Sequence, residues 1–172
     1  ASSDRTYNFG QSAFAYTPPT GFKALNTANL LDPTIVDPSA YFQPTLYAGN
    51  GTAIGSGGLE VNQSENSTFQ PDFVWIKNRS AADNHMLYDS VRGATKDLHS
   101  NAAAAEVTDT EGLSTFDTDG FTVGSNVEVN TNAENYVAWQ WYAPTTSTNT
   151  AGSVSSTLSV DQTSGLSIGT FD

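Results

Sequence analysis

Between Phe69 and Trp141 apolar and polar residues alternate with a period of two, and turn-forming residues interrupt the pattern every few positions. That period suits strands, whose successive side chains point to opposite faces, and leaves little room for helices. The clearest segment is DFVWIKN, residues 72–78. Phe73, Trp75 and Lys77 fall on one face, and Val74 and Ile76 on the other. HMLYDSV follows, with Met86 and Tyr88 opposite Leu87. FDTDGFTVGS reads as a hairpin in which Asp119 and Gly120 supply the left-handed positions of a type I′ turn. YVAWQWYA places Val137, Trp139 and Trp141 on one face. Upstream, FQPTLYAG is a further strand, followed by turn chemistry at Asn50-Gly51 and Gly57-Gly58. The four alanines at 102–105 favour a helix by propensity, but they lie among strands and read as a loop with at most one helical turn. About eight short strands and almost no helix predict an all-β fold, an antiparallel β-sandwich of jelly-roll or concanavalin-like type.

The ends of the chain differ from this centre. In residues 1–40, Tyr7, Phe9, Phe14 and Tyr16 alternate as a strand face would, and Pro18-Pro19 ends the strand because neither residue donates to a ladder. Pro33 and Pro38 then mark an extended connector. These residues read as a strand plus Pro-rich linker, the end of a preceding β-domain, and residues 41–144 as the sandwich module. In residues 145–172 a Ser/Thr stretch reads as linker, and LSVDQTSGLSIGTFD as the start of a following β-module.

Composition removes several function classes. A net charge of −12 opposes nucleic acid and anionic membrane surfaces as partners. No run approaches the eighteen or so apolar residues of a membrane helix, so membrane insertion is not expected. There is no cysteine, hence no disulfide framework and no thiolate metal site.

No catalytic constellation stands out. His85 and His99 lack the further ligands a zinc site needs. Asp117-Thr118-Asp119-Gly120 resembles the start of a calcium loop, which makes Asp117 and Asp119 the candidate metal ligands. The later acids of such a loop are missing, and a hairpin turn is the preferred reading. Ser90 lacks the Gly-flanked turn of a hydrolase nucleophile. Acidic residues are plentiful, but no pair is singled out by spacing. Trp75, Tyr88, Trp139 and Trp141 could stack on sugar rings. Large aromatics at strand spacing more often fill a core, most of all at Trp139 and Trp141. Trp75 and Tyr88 therefore remain the candidates for ligand contact. Lys77, Arg79, Arg92 and Lys96 are expected to pair with Asp83, Asp89 or Asp97. Neither an enzyme nor a cofactor is expected.

PDFVWIKNRS at 71–80, LYDSVRG at 87–93, GLSTFDTDGFTVG at 112–124 and YVAWQW at 136–141 together resemble a module repeated in virion-associated proteins of tailed bacteriophages, notably those of marine bacteria. The upstream YNFGQSAFAYTPPTGFKALNTANL resembles the closing segment of a SPRY-type β-sandwich. Such modules often carry Cys between the two closing tryptophans, where Gln140 stands here. The resemblance implies a structural or adhesive module of a phage fibre or tail-associated protein in the virion. It implies homo-oligomers, trimers most of all, contact with other virion proteins and attachment to a host-surface glycan. Capsid decoration or a head fibre is the alternative expectation, and a glycan depolymerase a more distant one.

Overall fold

Alternation along the central segments builds real strands, and the way they pair decides which face is covered. The computed structural model describes residues 7–8, 12–24 and 29–171, in two compact units, residues 1–36 and 37–172. In the first unit no strand is present among the described residues, so the strand expected from Tyr7 to Tyr16 is not formed there; Phe9 lies outside the described residues. Pro18-Pro19 leads into a turn in which the Phe22 N–H donates to the Pro19 carbonyl at 3.0 Å. Gly21 takes φ +90° in that turn, a value glycine adopts without strain.

The second unit is all-β, with twelve strands among the described residues. Six form an antiparallel sheet in the order β1-β9-β3-β4-β5-β6: β1 (Phe42–Ala48), β9 (Asn135–Trp141), β3 (Phe73–Asn78), β4 (His85–Asp89), β5 (Lys96–His99) and β6 (Val107–Thr108). Pro44 is tolerated in β1 because that strand is the sheet edge. A second sheet, in the order β2-β8-β7, is built from β2 (Leu59–Asn62), β8 (Gly120–Val123) and β7 (Leu113–Asp117). The core lies between these two sheets. Val74, Ile76, Met86, Tyr88, Tyr136 and Ala138 from the first meet Val61, Leu113, Phe121 and Val123 from the second. Tyr47 closes one end, stacked on Tyr136 at 5.1 Å and edge-on to Phe121 at 6.2 Å.

A short helix, α1 (Val127–Asn130), buries Val129 in the core and is capped by the Asn126 side chain, which accepts from the Glu128 N–H. The 102–105 alanines form a loop, as expected, but β5 and β6 on either side of it are strands.

Three local expectations are corrected. The β7–β8 hairpin exists, but its loop residues are Thr118 and Asp119, neither with positive φ, so it is not a type I′ turn on Asp119-Gly120. Gly120 is instead the first residue of β8, and a Cβ there would sit 2.1 Å from the Val61 carbonyl oxygen. Its role is close approach of the backbone to β2. The Ser/Thr stretch expected to be a linker contains a strand, β10 (Thr145–Asn149). It pairs with β11 (Ser156–Asp161), which pairs with β12 (Leu166–Phe171), in a three-stranded meander. Trp139 and Trp141 do not fill the core. Their neighbours Ala138 and Gln140 point inward, so the tryptophans take the opposite face of the sheet, where they are half-buried.

Gln140 is fully buried. Its amide donates to Thr45 Oγ1 at 2.8 Å and its carbonyl accepts from Gln63 Nε2 at 3.2 Å. Both ends of a buried amide are thereby satisfied, which such a polar group requires.

Candidate functional site

The strand registers place large side chains in rows across the outer face of the six-stranded sheet. Phe42, Trp141 and Phe73 lie opposite one another across β1, β9 and β3. The next row is Pro44, Trp139, Trp75 and Leu87, and the third is Leu46, Val137, Lys77 and His85. Trp141 contacts both Phe42, at 5.0 Å between ring centres, and Phe73, at 5.2 Å. Trp75 meets Trp139 at 5.6 Å and 66°, an edge-on arrangement that aromatic quadrupoles favour. An open concavity of about 260 Å³ is lined by Trp75, Trp139 and Trp141.

One polar contact orients this surface. Trp75 Nε1 donates to His85 Nδ1 at 2.9 Å. The neutral imidazole then carries its own proton on Nε2, leaving that atom as a donor. Next to His85 in the third row, Lys77 Nζ donates to the carbonyls of Asn78 and Ala81, at 2.6 and 3.1 Å. The ammonium is held against the backbone, and its stem covers apolar surface. The result is an indole-walled platform with polar groups along one margin. Such a platform can stack on the C–H face of a ring-shaped ligand.

The two aromatic candidates separate. Trp75 lies on the platform. Tyr88 is fully buried in the core and cannot touch a ligand there. Its position on β4 puts it opposite Val74, on the inner face. The Tyr88 hydroxyl has no hydrogen-bond partner; the Leu113 N–H faces it but falls short of hydrogen-bond geometry. Burial raises the phenol pKa far above its usual range, and the negative charge of Asp97 adds to this. Asp97 is itself buried, and burial raises its pKa. Nearby, both ring nitrogens of His99 lack a hydrogen-bond partner, and Glu128 Oε2 lies 3.9 Å from Nε2.

The candidate metal ligands are not brought together into a site. Asp117 Oδ2 accepts from Thr122 Oγ1 at 2.7 Å across the hairpin, and Asp119 is exposed on its loop. Among the described residues no group of three or more His, Cys, Asp or Glu side chains is placed to hold a metal ion. The histidines part company as well: His85 is on the outer face, while His99 pairs with Met86 on the inner one. Arg92 pairs with Asp89 at 2.6 Å, as expected, and also with Glu106 at 3.2 Å. Lys96 reaches Glu106 at 3.9 Å rather than Asp97. Asp83 accepts from Asn78 Nδ2 at 2.6 Å.

Sequence reasoning missed the platform as a unit. It treated His85 as an isolated histidine, and Trp139 and Trp141 as core. The usable signal lay in the hairpin itself: pairing WIK with HML sets Lys77 opposite His85, and therefore His85 diagonal to Trp75.

The sequence matches the family described as Domain of unknown function (DUF7483) over residues 37–172, the whole of the second unit. No curated protein matches the chain. No solved structure matches it either.

Proposed function

The chain thus belongs to the DUF7483 family, and we propose that this module is a non-catalytic recognition element of a phage fibre or tail-associated protein, binding a host-surface glycan. The observation that carries this reading is the platform of Trp75, Trp139 and Trp141 around an open concavity on the outer sheet face. Half-buried aromatic rings clustered on a sheet offer stacking area without ordering a loop. Each contact is weak, and display of several copies in a homo-oligomer converts it into avidity. A threefold arrangement is the symmetry that the resemblance to fibre modules favours. The net charge of −12 keeps such an array soluble and turns it away from nucleic acid.

A second reading is capsid decoration, in which the same face docks on another virion protein. Leu46 favours it, extending the apolar face beyond the tryptophans while 67% exposed.

The test is a glycan array and a host-cell binding assay with the chain and its Trp75→Ala, Trp139→Ala and Trp141→Ala variants. Binding by the parent chain that falls about tenfold or more in the variants is the expected result, a loss of about 1.4 kcal/mol. Absence of binding on both assays, or binding indifferent to all three variants, removes the reading. Shortening of the host polysaccharide would point to a depolymerase instead.

A further inference from the structure

Where β9 leaves the sheet and the chain runs through Tyr142–Pro144 into β10, a second concavity opens, of about 490 Å³. Its construction differs from that of the tryptophan platform. At its base lies Asp72, only 6% exposed. The Asp72 carboxylate is pinned by two donors: Oδ1 accepts from Ser90 Oγ at 2.9 Å, and Oδ2 from the Ala143 N–H at 2.8 Å. Each oxygen keeps a lone pair, and the Ser90 hydroxyl keeps its acceptor capacity. One wall is aromatic: Phe69 and Tyr142 meet at 5.5 Å. The wall continues to Tyr41, 6.5 Å from Tyr142, beside an adjoining concavity of about 250 Å³ that shares Phe69 and Tyr142 with the first. The rim carries Gln70, Thr118 and Thr146, whose side chains form no hydrogen bond among the described residues.

We propose that this groove is a second binding site, for a neutral oligosaccharide. A sugar ring has an apolar C–H face and a girdle of hydroxyls. An aromatic wall beside fixed acceptors and unpaired hydroxyl and amide groups complements both. The volume lies within the range of small-ligand sites. The carboxylate at the base, in a chain of net charge −12, repels uronic, sialic and sulfated sugars. Asp72 receives no cation here: both its oxygens take neutral donors. The groove thus reads hydroxyl patterns, whereas the tryptophan platform offers stacking area with little polar discrimination. The choice of ligand class rests on the glycan-binding reading above; the site itself is separate from the platform and stands or falls on its own signals.

The experiment is an NMR titration of the isotope-labelled full chain with cellobiose, lactose and chitobiose, and with digalacturonate as the anionic control. A neutral disaccharide is expected to shift the backbone amides of Ser90, Tyr142 and Thr146 saturably, and digalacturonate to bind about tenfold more weakly or worse. Tyr142→Ala is expected to weaken this binding about tenfold, and Gln70→Ala, a rim change that leaves the pinned carboxylate intact, about threefold. Trp139→Ala leaves it unchanged. Shifts confined to the indole N–H signals and abolished by Trp139→Ala would overturn the groove while leaving the platform in place. Groove shifts without any indole response would do the reverse. Digalacturonate binding as tightly as the neutral sugars, or no disaccharide moving a groove amide at millimolar concentration, overturns the proposal.

Discussion

Strands β3 and β9 present two faces made of alternate residues, and the contrast between them is not one of size. The inner face carries Val74, Ile76, Tyr136, Ala138 and Gln140, all fully buried. The outer face carries Phe73, Trp75, Trp139 and Trp141, which remain half-buried although the three indoles are larger than any side chain on the inner face. What closes a face is the element laid across it. The second sheet and α1 cover the inner side, with Phe121, Val123 and Val129 filling the space between. The same strands therefore divide into a covered face and an open face, and mutations should separate the two.

The largest expected effect lies on the inner face. Ile76→Ala should lower the unfolding free energy by about 2–5 kcal/mol, because it deletes buried methylenes and leaves a cavity. Trp139→Ala, outside, should cost about 1–2 kcal/mol, from its ring pair with Trp75 and the partial burial of the indole. Chemical denaturation of both variants checks this. Equal losses would dissolve the distinction between the faces.

A second, smaller effect concerns the one amide inside. Gln140→Leu strips Gln63 and Thr45 of their partner and should cost about 1–3 kcal/mol, even though leucine is the more apolar residue. Adding Thr45→Val should recover part of that loss, since it removes one of the stranded groups. A Gln140→Leu variant as stable as the parent would mean that the inner face is indifferent to its polar network.

These two cases mark where the sequence was legible. The period of two along DFVWIKN and YVAWQW correctly separates the residues into faces. It cannot say which face is covered, because that depends on strands β7 and β8, more than thirty residues downstream of β3. Ranked by apolar bulk alone, Trp139 and Trp141 look like core and Gln140 looks like surface. The polar partners that make Gln140 tolerable inside lie 77 and 95 residues away in the chain. Tyr88 fails for a related reason: its hydroxyl suggests an exposed ring, yet its register opposite Val74 commits it to the inner face. The groove at Asp72 had no local signature either. It joins Phe69, Ser90, Thr118 and Thr146 from four separate stretches.

Tyr88→Phe sharpens the comparison from the other direction. The hydroxyl is buried without a hydrogen-bond partner, so its removal deletes a desolvated polar group and breaks no hydrogen bond. The variant should match the parent or exceed it, by up to about 1 kcal/mol. A clear loss on denaturation would show that the hydroxyl is held by a contact the fold depends on.

The smallest effect is a pH dependence confined to the inner side. Burial raises the Asp97 pKa above its ordinary 3.8, the negative charges of Asp109 and Glu128 push the same way, and His99 opposes them. The folded state thus binds this proton more tightly than the unfolded state does. Its contribution to stability is fully present below pH 3.8 and is lost as the pH rises through the raised value. Asp97→Asn removes the titration and keeps the shape. Melting curves of parent and variant should coincide near pH 3 and diverge above it, with the asparagine variant higher at pH 7 by on the order of 2 °C. Glu111 provides the opposite sign. Its carboxylate accepts from the Ser125 N–H and hydroxyl and from the Ile54 N–H, which lowers its pKa. Glu111→Gln should therefore fall below the parent at neutral pH and rejoin it in acid. If both variants shifted in the same direction at pH 7, local burial and hydrogen bonding would not be what sets these two carboxylates apart.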